Sequence, residues 1–134
     1  MNTENCVCGS VIVAERVDFN YEKTTHSIEN IYNTLTVNVV PSVAFVDVWA
    51  KVAFSMEQSV EAWIEIINSN NELIFTSNPM ELENYRETNM HPGADFSLSI
   101  RFLVTKEGNY TVKLVVNNNE VYAYPLFVKC RMNE

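Results

Sequence analysis

The residues best placed to do chemistry lie in Glu61-Ala-Trp63-Ile-Glu65. Alternate side chains of a strand share one face at intervals of about 6.8 Å, which would set Trp63 between two carboxylates. An indole flanked by acids suits an Arg or Lys of a protein partner, through ion pairing and cation–π attraction. The competing expectation is that Met80, Leu82, Tyr85 and Met90 fold over Trp63 and bury it, because large aromatics are more often core than contact.

Other constellations are weaker. Cys6-Val-Cys8, Cys130 and His26 or His91 could be imagined around a metal, but structural zinc uses two close pairs at wider spacing. No metal and no other cofactor is expected. His26 and His91 sit in turn-like surroundings, without a Gly-x-Ser-x-Gly motif or a phosphate-cradling loop. The chain is therefore read as a non-enzyme. A small enzyme assembled in space around a histidine is one alternative.

At 134 residues the chain is expected to form one domain, residues 1–134, with room for a two-layer core. An apolar fraction of 47% against 19% charged residues argues for a folded globule. Met1-Asn-Thr-Glu-Asn-Cys6 has no signal-peptide pattern, and no apolar run is long enough to span a membrane. With an odd three cysteines, these features predict a cytoplasmic protein with reduced thiols.

The net charge is −8, and seven of those charges fall between Glu57 and Asp95, where eight acids face only Arg86. Direct nucleic-acid binding through phosphate neutralisation is disfavoured, and a protein partner with a basic surface fits better. The acids could simply solubilise one face. The sharper alternative is a decoy that imitates nucleic acid and blocks a basic target.

Alternation of apolar and polar residues supplies the elements that must position these groups. Strands are read at Gly9–Glu15, mainly over His26–Val40 up to Pro41, and at Val43–Phe54, Val60–Ile67, Leu73–Thr76, Phe96–Val104, Gly108–Val116 and Val121–Val128. Asp18–Thr25 is read as a turn, and Asn78–Gly93 as a long connection of no clear period. About eight strands separated by turn clusters predict an all-β, antiparallel two-sheet sandwich.

The last hairpin has two readings. If Asn118-Asn119 is the turn, Val121, Ala123, Pro125 and Phe127 face inward, and Tyr122, Tyr124 and Leu126 form an outward patch. If Asn117–Asn119 is the loop, Tyr122, Tyr124, Leu126 and Val128 face the core.

Glu107-Gly-Asn-Tyr-Thr-Val-Lys-Leu-Val-Val116 resembles the penultimate strand of immunoglobulin-like sandwiches. The Cys–Trp–Cys arrangement of antibody domains is missing. More broadly, Cys8-Gly-Ser-Val-Ile-Val, Ile28-Glu-Asn-Ile-Tyr32 leading to Pro41, and the Gly-x-Tyr strand are similar to small bacterial proteins catalogued only as a domain of unknown function. That resemblance implies a sandwich fold and no activity. The expected function is a non-enzymatic protein-interaction module using Trp63, Glu61, Glu65, Tyr122 and Tyr124, with homodimerisation through edge strands or apolar patches in view.

Overall fold

The computed structural model describes residues 7–55 and 59–133, so Cys6 and Glu57 lie outside the described residues. Alternating sequence makes most of the described residues extended, in ten strands where about eight were expected. They are β1 (Cys8–Asn20), β2 (Thr25–Ile31), β3 (Thr34–Val37), β4 (Ser42–Ala53), β5 (Val60–Ile67), β6 (Leu73–Thr76), β7 (Met80–Leu82), β8 (Gly93–Val104), β9 (Gly108–Val116) and β10 (Asn119–Cys130). They form two sheets, one ordered β2-β1-β4-β8 and the other β3-β10-β9-β5-β6, with β7 also pairing β5. Among the described residues no helix is long and apolar enough to cross a membrane.

The core lies between the sheets. Val46, Val48 and Val52 of β4 and Val11 and Val13 of β1 meet Ile64 and Ile66 of β5, Leu114 of β9 and Leu126 and Val128 of β10, all nearly inaccessible. Gly9 permits close approach of the sheets, since a Cβ there would stand 2.7 Å from Leu114 Cδ2 and 2.8 Å from Lys51 O. A sheet with one buried face needs such a second layer to hide its apolar side.

The segment 26–40 is two strands in opposite sheets, not one. Tyr32 N donates to Val13 O (2.8 Å) in the first sheet, and Asn33 O accepts from Phe127 N (3.2 Å) in the second. β3 then runs parallel to β10, from Thr34 opposite Phe127 to Val37 opposite Cys130, which corrects the wholly antiparallel expectation. β-branched residues fill both pieces, so residue type alone hides the break.

Three further departures are local. β1 continues through Asp18–Asn20, and only residues 21–24 reverse the chain, with Asn20 Oδ1 accepting from Glu22 N and Lys23 N at 3.0 Å each. Met80–Leu82 pairs Val60–Ala62 and seats Leu82 in the core. The final hairpin turns at neither proposed loop, yet from Tyr122 onward it takes the second register, with Leu126 and Val128 buried and Tyr124 packed against the core. Asn117 and Asn118 are both left-handed (φ 50° and 65°), Val116 opposes Asn119, and a bulge between Glu120 and Tyr122 then sets Tyr122 opposite Leu114. Two left-handed residues give the twist that joins adjacent antiparallel strands, and Asn tolerates that conformation.

Polar contacts close the ends of the sandwich. Asn68 is the buried polar residue of the β5–β6 turn; its Oδ1 accepts from Asn70 N (2.9 Å) and Glu72 N (3.0 Å). Tyr110 OH donates to Lys106 O (2.7 Å), and Tyr124 OH donates to Tyr32 O. Burial raises both phenols above the ordinary value of 10.0. The folded chain thus holds these protons more tightly than the unfolded one, so their stabilisation is full below pH 10 and is lost as pH rises through the raised values. We expect a stability–pH profile that falls above that point, less steeply in Tyr124→Phe; an identical fall in the variant would contradict the assignment. Asn68→Ala should cost about 1–3 kcal/mol in denaturant unfolding, because two amides lose their acceptor.

Candidate functional site

The outer face of the six-stranded sheet carries the acid and tryptophan pattern. Glu61, Trp63 and Glu65 alternate outward while Val60, Ala62, Ile64 and Ile66 point into the core. Trp63 is half-buried beside Val115, its cross-strand neighbour, and its Nε1 donates to Glu65 Oε2 at 2.7 Å. The indole is therefore neither free nor capped by the loop: Tyr85 is 86% exposed and Met90 49% exposed, while Leu82 serves the core. Glu61 stands opposite Glu81, two carboxylates in register without a cation between them in the ladder. Lys113, opposite Glu65, forms its ion pair with Glu120 on the other side (2.9 Å).

The acids that cluster in sequence do not cluster in space. Glu61, Glu65 and Glu81 share one sheet face. Glu72 is held at the β5–β6 turn, where hydrogen bonds from Asn68 and then Asn70 keep its carboxyl below the usual range. Asp95 lies on the other sheet with Arg86 (2.9 Å) and Lys51 (3.5 Å) on its Oδ1.

Tyr122 and Tyr124 also part company. Tyr122 is 38% exposed at the bulged end of β10. Tyr124 packs against the core and spends its hydroxyl on main-chain oxygen of Tyr32. The two histidines are separate too. His26 stacks in a group with Phe19 (4.9 Å between centroids) and Trp49 (6.2 Å), and His91 lends its carbonyl to Arg86 Nη1 (3.0 Å). Among the described residues no group of His, Cys, Asp and Glu side chains is arranged to hold a metal; Cys8 is exposed and Cys130 buried, both as thiols.

The four-stranded sheet holds features that the sequence reading passed over. After Ala14, β1 leaves β4 and continues with β2 alone. The bend falls at Glu15, whose Oε2 accepts from Nδ2 of left-handed Asn30 (3.0 Å, φ 55°). The resulting arm, residues 16–29, crosses the outer face of the sheet. Asp47 anchors it by accepting Val17 N on Oδ2 (2.9 Å) while Ser99 Oγ holds Oδ1 (2.7 Å). Its tip brings Phe19 and Tyr21 together (4.8 Å) and encloses a cleft with Tyr85, Arg86, Gly93 and Asp95.

Beyond the arm the same face is apolar. Val43 opposes Leu103 and Phe45 opposes Arg101, whose guanidinium lies 5.2 Å from the Phe45 ring centre. Exposures of 51% for Val43, 50% for Leu103 and 61% for Phe45 make this a contiguous apolar patch. The signal was present in the sequence as apolar residues on the parity otherwise occupied by Asp47, Lys51, Ser97 and Ser99.

No family model matches the sequence, and no match is found among curated proteins. Solved structures share a partial likeness. An alkylpurine DNA glycosylase of Pseudomonas fluorescens, bound to DNA containing an abasic site analog, is 10% identical over 89% of this chain and 30% of that one, with a TM-score of 0.43. A β-glucosidase from Listeria innocua in complex with glucose is 9% identical over 92% of this chain and 16% of that one, with a TM-score of 0.44. The chain thus spans less than a third of either protein. Likeness at this level says nothing about activity here.

The anchoring of the arm can be measured. Asp47→Ala should release Val17, speeding hydrogen exchange at its amide, and should shift Trp49 emission to the red in a Trp63→Phe background. Unchanged exchange and emission would mean that the arm is held by other contacts.

Proposed function

We propose that this chain is a non-enzymatic protein-interaction module built on an immunoglobulin-like sandwich. The observation that carries the interaction reading is the apolar patch of Val43, Phe45 and Leu103, exposed across two neighbouring strands. Contiguous apolar surface of this kind costs solubility and commonly marks a contact site. Arg101 at its rim adds the guanidinium that such sites favour.

Support for the immunoglobulin-like reading comes from β9. The hydroxyl of Tyr110, near the start of that strand, bonds back to Lys106 O (2.7 Å), as does the tyrosine corner of those sandwiches. The neighbour order β1-β4-β8 and β5-β9-β10 also parallels their two sheets. The free thiols of Cys8 and Cys130 favour a reducing, cytoplasmic setting.

A basic partner has a second surface available, the outer face of β5 and β7. Like charges directly opposed in a ladder are destabilising, and a cationic side chain between Glu61 and Glu81 would relieve them.

The decisive comparison is between the native chain and a Phe45→Asp, Leu103→Asp variant. Exposed substitutions should leave unfolding stability within roughly 0.5 kcal/mol while protein association is lost. Association that survives intact in the variant would reject the patch as the contact site. Glu61→Lys with Glu81→Lys should weaken only contacts that fade at high salt. Salt-insensitive loss would reject the electrostatic role of that face.

A further inference from the structure

We infer that the chain pairs with a second copy of itself along β8, antiparallel and centred on Leu98. This rests on the protein-interaction reading and names the partner. β8 is the outer strand of its sheet and bonds to β4 on one side. Among the described residues no main-chain hydrogen bond joins residues 95–104 to any other element. The strand pairs β4 without a bulge over all twelve residues, Gly93–Val104, and contains neither Pro nor Lys. Natural edge strands are commonly short, bulged or guarded by such residues, because an unguarded edge is a template for another strand.

The inward side of this edge is unfinished as well. Ile100, Phe102 and Val104 are buried, but Phe96 and Leu98, on the same face, are only half-buried. A strand added beside them would extend the apolar layer and cover both.

The sequence of β8 identifies which strand fits. Asp95-Phe-Ser-Leu-Ser-Ile-Arg101 is symmetric in character about Leu98. With Leu98 on a twofold axis, Asp95 meets Arg101 of the second copy, Phe96 meets Ile100 and Ser97 meets Ser99, and each pairing occurs twice. Opposite charges in register stabilise a ladder, whereas centring on Arg101 would oppose two guanidiniums. The intramolecular cations of Asp95, Arg86 and Lys51, both sit on Oδ1, which leaves Oδ2 for the incoming Arg101.

The same operation accounts for the two apolar exposures of the four-stranded sheet. It sets Leu103 opposite Gly93 of the second copy, and Gly93 lines the cleft shared with Phe19 and Tyr85. The patch of Val43, Phe45 and Leu103 on each copy therefore lies beside the exposed rings of the other, Phe19 (40%) and Tyr85 (86%). A twofold interface is self-complementary in this sense: the same patch faces itself, and each contact between unlike residues is made twice.

Charge exchange tests the register. Sedimentation equilibrium over a wide concentration range should show a dimer of the native chain. Arg101→Asp and Asp95→Arg should each weaken it roughly a hundredfold, because both ion pairs become like-charge contacts. Mixing the two variants should restore association, since every 95–101 contact is then complementary again.

A chain that is monomeric throughout, or variants that fail to recover on mixing, would overturn the pairing. Asp95 also holds Arg86, so a second variant keeps the test independent of that contact. In a Cys6→Ser, Cys8→Ser background, Leu98→Cys should cross-link to itself under mild oxidation, as residues opposed on the axis lie within disulfide range. Failure to cross-link would exclude Leu98 as the centre. A monomer whose binding to another protein still depends on Phe45 and Leu103 would refute self-pairing alone and leave the module reading intact.

Discussion

Everything in this sandwich depends on the peptide junction between Tyr32 and Asn33, where the chain passes from one sheet to the other within two residues. Tyr32 N is bonded to Val13 O in the first sheet, and Asn33 O is bonded to Phe127 N in the second. Tyr124 reinforces the junction from inside, its hydroxyl directed at Tyr32 O and, more distantly, at Val13 O (3.5 Å). A buried main-chain group must find a partner, and here one side chain helps to serve two sheets. Without that crossing β3 could not reach β10, and the second sheet would begin with an uncovered strand.

The crossing also explains why the two outer faces differ in character. β2 stays with β1 and leaves with it as the arm, so the four-stranded sheet has one shielded half and one bare half. Among the described residues no such arm crosses the six-stranded sheet. Its outer face is dressed instead by side-chain pairing within the ladder, Trp63 with Glu65 and Lys113 with Glu120. One surface thus pairs several of its polar side chains with one another, while the other leaves the patch of Val43, Phe45 and Leu103 in water.

Much of this was legible in the sequence where alternation was strict. β5 and β9 fall where period-two patterning sets them, because one face of each is buried and a slip would expose it. Legibility failed where residues of one kind served different neighbours. Ile28, Ile31, Leu35 and Val37 are all branched or aliphatic, yet Leu35 and Val37 are buried and Ile31 is 55% exposed. The hairpin at Asn117-Asn118 was hidden by a third asparagine, since any two of the three could turn the chain. The surface patch was obscured for another reason: Val43, Phe45 and Leu103 look like core residues until the arm is known to cover only the other half of that outer face. Glu61, Trp63 and Glu65 were correctly read as sharing a face, but the bond from the indole to Glu65 depends on rotamers, which spacing does not encode.

The parallel contact of β3 with β10 has a temporal consequence. Residues 34–37 are made early in synthesis, yet their ladder partners, residues 127–130, emerge from the ribosome almost a hundred residues later. Until then the early segment must remain unpaired on that side, with Leu35 and Val37 lacking the strand that buries them. Vectorial folding can assemble β1, β2 and β4 as the chain appears, but the second sheet cannot close until its last strand is released. During that interval the nascent chain exposes the surfaces that chaperones recognise.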